Sequence, residues 1–128
     1  MYRIAVVLLA IAALGERPSV AAAQRSGECH RPARGTADIE ACAAVQLRAA
    51  ERQLDSTEAQ VRRVLSRATA VRFTASARQW RAYRDAECRV VYESYDGGSG
   101  AGAALVNCKV TLTRDRSATL RRIYMPDA

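Results

Sequence analysis

The sequence predicts an all-α protein, a small three-helix up-down bundle with two disulfides. Three observations lead there. Between Thr36 and Asp96 the 128-residue chain has neither Gly nor Pro, and it is rich in Ala, Arg, Leu, Glu and Gln, all good helix formers. Apolar residues recur at three-four spacing, and no run shows the period-two alternation of a half-buried strand. Four Cys stand in a short chain that opens on an export leader, the setting in which cysteines pair.

Met1–Arg3 gives a positive start, and the apolar run Ile4–Leu14 follows. That run is too short for a bilayer, which needs about 20 residues, and fits the core of a secretory signal peptide. Ala21-Ala22-Ala23 is a small-x-small cleavage pattern. The expected organisation is a signal peptide over 1–23, an extended segment over 24–36 and a helical domain over 37–128. The chain is expected to be exported, to the periplasm or beyond, with no transmembrane segment after cleavage. Glu28 directly before Cys29 does not suit a lipid-attachment site.

The first helix is expected over 37–67, with Thr36 as N-cap and Asp38 and Glu40 favoured in the first turns by the helix dipole. Its apolar stripe is Leu47, Ala50, Leu54, Thr57, Val61, Val64 and Ala68. Arg48, Glu51, Arg52, Asp55, Glu58 and Arg62 fall off the stripe and read as a solvated face, with Glu58 and Arg62 as an i,i+4 pair. A break is placed at 68–72, where Thr69 and Val71 are β-branched. The second helix, 72–93, carries Phe73, Ala77, Trp80, Arg84, Cys88 and Val91 at helical spacing. Ser94–Gly102 is a Gly-rich loop. The third helix, 103–124, carries Leu105, Cys108, Leu112, Arg116, Leu120 and Ile123, and Pro126 stops it.

The Cys are separated by 12, 45 and 19 residues, with no C-x-x-C pair to suggest zinc or thioredoxin-like chemistry. Up-down-up packing brings Cys42, Cys88 and Cys108 to one end, and Cys29 reaches the same end. Cys29–Cys42 with Cys88–Cys108 is the favoured pairing, because Cys88 and Cys108 lie at similar distances from the Gly loop. Cys42–Cys88 with Cys29–Cys108 stays open.

Composition excludes several function classes. One His removes most metal-cluster and haem chemistry, and no phosphate-loop or dinucleotide motif is present. No metal or cofactor is expected. Aromatics are 5% of the chain, too few for a base-stacking surface, so nucleic acid is a poor partner. Ser99 is not a nucleophile elbow, since the fifth residue of G-x-S-x-G would be Ala101, and His30 is distant in sequence. No enzyme activity is expected. The formal charge is +7, and nineteen of the twenty basic residues are Arg. Removing 1–23 takes away two Arg and one Glu, leaving +6. Read along the chain this charge looks distributed, favouring an anionic polymer or membrane surface and opposing long-range attraction to a basic protein.

The most specific string is Trp80-Arg81-Ala82-Tyr83-Arg84-Asp85-Ala86-Glu87-Cys88. Gly97-Gly98-Ser99, Cys108, Leu112-Thr113, Arg116 and Leu120 follow it in order. This arrangement resembles the LprI-like lysozyme inhibitor family of exported bacterial proteins, over roughly Cys29 to Leu120. Asp55 stands where that family has Asn, Glu58 where it has Tyr, and Ala77 where it has Gln. The resemblance implies a helical, disulfide-bonded exported domain and, for some members, binding and blocking of lysozyme. The expected function is therefore lysozyme inhibition by cleft occlusion. The alternative is an envelope module that binds an anionic polymer or membrane surface.

Within this frame Trp80 belongs to the core, and Tyr83 lies one step off the stripe with its hydroxyl at the surface. Arg84 and Arg116 sit on stripes that should be buried, so each needs a carboxylate; Glu87, Asp115 and Glu40 are the candidates. Asp85 is expected to pair with Arg81 and Arg89 at i±4. Tyr95, Asp96, Gly97, Gly98 and Ser99 form the loop tip and, with Tyr83, are the candidate contact residues. A small loop held at its base is preorganised, which lowers the cost of binding.

Overall fold

A computed structural model of the chain describes Cys29 and residues 32–126. The leader, its cleavage site and His30 lie outside the described residues. Three helices account for nearly all of the rest: α1 (Thr36–Val64), α2 (Arg67–Glu93) and α3 (Ala101–Tyr124). Among the described residues there is no strand.

The α1 N-cap is Gly35, one residue before the expected Thr36, and it makes no side-chain cap. Asp38, inside the first turn, instead ties down the segment that leads into the helix. Its Oδ2 accepts from the Arg34 backbone N–H at 3.0 Å and pairs with the Arg34 guanidinium. That backbone bond, followed by the ion pair, holds the Asp38 carboxyl below its ordinary pKa.

The break between α1 and α2 falls at Leu65–Ser66 and not at 68–72. Ser66 is extended, and its Oγ accepts from Thr69 N at 3.3 Å. A Ser cap contributes about 1 kcal/mol, more than the few tenths by which a β-branched residue weakens a helix. The cap therefore sets the boundary, and Thr69 and Val71 are helical. Ala68, placed by periodicity on the first stripe, is an exposed residue of α2. Pro126 follows the end of α3, as the sequence predicts.

α1 packs most extensively on α3, and α1 and α2 touch least. The side chains explain the asymmetry. α1 buries Ala43, Ala50, Leu54, Thr57 and Val61, and α3 buries Ala103, Val110, Thr113, Ser117 and Leu120. Small residues at these positions let the two backbones approach closely. α2 brings Phe73, Trp80, Arg81 and Arg84, which hold it further off. The apolar core is Leu54, Val61, Phe73 and Leu120, with Leu65, Trp80 and Met125 packed against it. Trp80 is thus a core-edge residue, half-buried.

Among the described residues, five of the eleven buried hydrophobic positions are Ala, so the core offers little apolar area and covalent help matters. Both favoured disulfides are present. Cys29–Cys42 ties the segment before α1 to the helix, and Cys88–Cys108 joins α2 to α3 with Cα atoms 5.6 Å apart. Cys88 is fully buried. A bridge closing about twenty residues stabilises by about 3 kcal/mol. Urea unfolding of the Cys88→Ser/Cys108→Ser protein is expected to show a loss of that size. Leu54→Ala, at a site with no solvent exposure, is expected to cost about 3 kcal/mol.

Candidate functional site

The row of guanidinium groups along α2 positions everything above it. Arg84 is 6% exposed and touches all three helices. Its Nη1 donates to Glu51 Oε1 of α1 at 3.2 Å and to Thr113 Oγ1 of α3 at 3.1 Å. Its Nε and Nη2 hold Asp85 Oδ1 at 3.0 and 2.9 Å. Asp85 in turn accepts from Lys109 of α3 at 3.1 Å. The partners expected for these residues are therefore corrected. Arg84 takes Glu51 and Asp85 in place of Glu87, Asp115 or Glu40. Asp85 takes Arg84 and Lys109 in place of Arg81 and Arg89. Contacts to Glu51 and Lys109 across helices, and to the adjacent Asp85, won over i±4 spacing because the buried guanidinium draws carboxylates toward it.

One turn earlier, Arg81 bridges α2 to α1. Its Nη1 donates to both Glu58 oxygens at 2.9 and 3.1 Å, and its Nη2 to Asp55 at 2.8 Å. Glu58, expected on the solvated face, is 4% exposed. Its expected partner Arg62 stands at 4.0 Å, the longest ion-pair distance among the described residues. Burial by itself would lower the Arg81 pKa, but the bond to Glu58 and the Asp55 charge outweigh it and raise it. Arg116 completes the row from α3. Its guanidinium and that of Arg84 both lie over the Trp80 ring, 5.7 Å from its centroid. Arg116 has no carboxylate partner among the described residues, and its buried Nε makes no hydrogen bond.

The Gly-rich connection begins where α2 ends. Ser94 Oγ donates to Val91 O at 2.7 Å, Asp96 N to Glu93 O at 3.1 Å, and Gly98 N to Tyr95 O at 2.8 Å. Asp96 and Gly97 both take left-handed backbone, with φ of 46° and 78°, and Gly supplies that conformation without strain at the second position. Backbone hydrogen bonds thus hold the loop from Ser94 to Gly98, where its composition suggests a flexible connection. It spans Ser94–Gly100 and is shorter than expected, because Ala101 and Gly102 already belong to α3. A Cβ at Gly102 would overlap the Glu40 carboxylate of α1. Gly102 therefore lets an anion rest on the first turn of α3, where the dipole favours it.

Tyr95, Asp96, Gly97, Gly98 and Ser99 are all exposed and lie together at this tip. Tyr83 is also exposed, but it sits ten residues before the end of α2, about 15 Å down the axis at 1.5 Å per residue. The structure does not bring it to the loop. Tyr92, which sequence reading passed over, is exposed beside the loop with the Arg89 guanidinium 5.3 Å from its ring centroid. Its place one turn before Tyr95 was the available signal. On the α1–α3 side of the same end, a depression of about 210 Å³ is lined by Ile39, Gln46, Asn107 and the Cys29–Cys42 bridge.

The charge is not spread as the linear sequence suggests. Residues 59–76 and 116–126, which the fold gathers toward the Leu65–Ser66 turn, hold seven Arg and no Asp or Glu. Toward the loop, residues 34–47 and 85–112 hold six carboxylates against three cations. The bundle is electrically polar along its length. Among the described residues there is no group of three or more His, Cys, Asp or Glu that could hold a metal.

The sequence matches the model of the family described as "Lysozyme inhibitor LprI" over residues 29–120. The fold and its disulfides thus define a small, all-helical, disulfide-bonded domain of an inhibitor family. The chain belongs to the LprI lysozyme inhibitor family. No curated protein matches it, and no solved structure does.

Two outcomes follow from the guanidinium row. Arg81→Met strands the buried Glu58 and is expected to cost about 3 kcal/mol, much of it recovered in Arg81→Met/Glu58→Gln. Arg84→Met should cost nearer 1 kcal/mol, because Glu51 and Asp85 are half-exposed and can hydrate, leaving chiefly the Thr113 hydroxyl to lose a bond. A double-mutant cycle in urea checks both. The pH dependence has a definite sign. Burial would raise the Asp85 pKa, but the bonds from Lys109 and Arg84 outweigh it, so the carboxyl is held below its ordinary value. A depressed carboxylate stabilises above the unfolded-state pKa of about 4 and loses that contribution as pH falls through the folded value. Stability below pH 4 should fall less steeply in Asp85→Asn.

Proposed function

We propose that the protein is an exported inhibitor that binds a lysozyme and occludes its substrate cleft with the loop end of the bundle. Membership of the LprI family and two disulfides support an extracytoplasmic inhibitor. The observation that carries the choice of surface is the polarity of the charge. The chain's net positive charge would repel a basic lysozyme as a whole, but the loop end is its acidic end. Complementary local fields steer encounter and fix orientation.

At that end the tip has the properties of a preorganised anchor. Tyr95 presents an exposed aromatic ring, and Tyr is enriched among residues that dominate binding. Asp96 carries the negative charge beside it. The loop's internal hydrogen bonds and the Cys88–Cys108 bridge fix its shape before contact, so little ordering is left to oppose binding. Tyr83 stands outside this contact.

The test is an inhibition titration of oxidised residues 24–128 against several lysozyme classes at physiological salt. Saturable inhibition at near-equimolar ratio is expected. Tyr95→Ala is expected to weaken it about thirtyfold, the effect of removing a hot spot of about 2 kcal/mol, and Asp96→Arg at least tenfold. Tyr83→Ala should leave it unchanged. Full lysozyme activity in the presence of excess folded, oxidised protein would sink the reading.

A further inference from the structure

The opposite end of the bundle has a second, unrelated surface. It is built from the end of α1, the first turns of α2 and the end of α3. Arg63, Arg67, Arg72, Arg121 and Arg122 lie there exposed, none in an ion pair among the described residues. Between them stand three aliphatic side chains that a soluble surface gains nothing by showing: Val64, Val71 and Ile123, exposed by 62%, 68% and 62%. A groove of about 340 Å³ opens at the same end, floored by Phe73, Leu120 and Tyr124, with Arg72 and Arg116 among its lining residues.

We propose that this end docks on the surface of a membrane containing anionic lipids. Charge complementarity carries the assignment: five exposed Arg without ion-pair partners among the described residues crowd this end, and residues 59–76 and 116–126, which build it, hold no carboxylate. Each Arg near an anionic lipid surface strengthens partitioning about fivefold. The apolar residues select a membrane over a protein. Two Val and one Ile, scattered among Arg, make no hot spot of the kind a protein interface is built on. They match the interfacial pattern, in which aliphatic side chains dip about 5–10 Å into the headgroup boundary while guanidinium groups stay with the phosphates. Arg serves that purpose well because its planar fork binds phosphate oxygens in pairs. The groove between α2 and α3 gives a displaced acyl chain an apolar place to lie. No helix of the described residues is long and apolar enough to cross a membrane, so the contact is peripheral. The loop end then points away from the lipid. The inference stands whether or not the loop inhibits a lysozyme.

Co-sedimentation of the oxidised protein with vesicles tests it. Binding to mixed phosphatidylglycerol–phosphatidylcholine vesicles is expected, with none to phosphatidylcholine alone, and it should weaken steeply as salt is raised. Arg63→Gln/Arg67→Gln should weaken it about thirtyfold. Arg48→Gln/Arg52→Gln removes the same charge from exposed positions midway along α1, and should change binding less than threefold. Val71→Ser/Ile123→Ser should weaken binding while leaving the thermal midpoint in place, since both residues are exposed. Equal losses in the two Arg pairs would overturn the proposal, as would binding indifferent to lipid charge. Tighter binding to duplex DNA than to anionic vesicles at the same salt would overturn it in favour of a nucleic-acid surface.

Discussion

The Arg84 guanidinium, though its loss costs little net stability, fixes the register in which the three helices of the bundle pack. It is almost fully buried and reaches a carboxylate on α1, a hydroxyl on α3 and a carboxylate beside it on α2. Small residues let α1 and α3 pack closely without polar help. α2 has no such complement, and its position relative to α1 is set largely by Arg84 and by Arg81 one turn away. A guanidinium has a fixed fork of donors and stays charged when buried. It therefore accepts only a narrow range of helix offsets, which gives a small core the register that its five Ala cannot specify.

This arrangement has consequences for the surface. The row consumes Glu51, Asp55, Glu58 and Asp85, and it does so in the middle of the bundle. Most of the acidic residues left over lie toward the Gly loop, and five exposed Arg, unpaired among the described residues, lie toward the Leu65–Ser66 turn. The resulting charge polarity separates two surfaces that net charge alone would merge. One is a rigid, acidic, Tyr-bearing tip. The other is a cationic end with exposed aliphatic side chains. A chain with net positive charge can on this basis meet a basic protein at one end and an anionic surface at the other.

The disulfides work with the same geometry. Cys88 lies one turn beyond Arg84 on α2, and Cys108 is next to Lys109, which closes the Asp85 bridge. The covalent link and the ion network hold the same stretch of α2 against α3. The loop rises from that fixed base, and backbone hydrogen bonds hold it from Ser94 to Gly98 despite its Gly-rich composition.

The sequence by itself determined the number of helices, their order and the family, and it favoured the disulfide pairing that the structure then settled. Helical periodicity, the absence of Gly and Pro, and cysteine spacing are local signals, and each survives folding unchanged. It also placed Tyr95 to Ser99 at an exposed tip, since Gly-rich composition marks a connection wherever it occurs. Only the tertiary structure decided the partners of the charged residues. Periodicity put Glu58 in solvent, yet Arg81 reaches across from α2 and buries it. Spacing gave Asp85 to Arg81 and Arg89, yet Arg84 and Lys109 hold it. Charge read along the chain looked distributed, because the acid-free stretches 59–76 and 116–126 are far apart in sequence and meet only when α3 returns beside α2. Ion pairs act over a few ångströms of space, and helical spacing reports neighbours on one helix alone. Contacts between helices, and the surfaces they leave exposed, were therefore for the fold to settle.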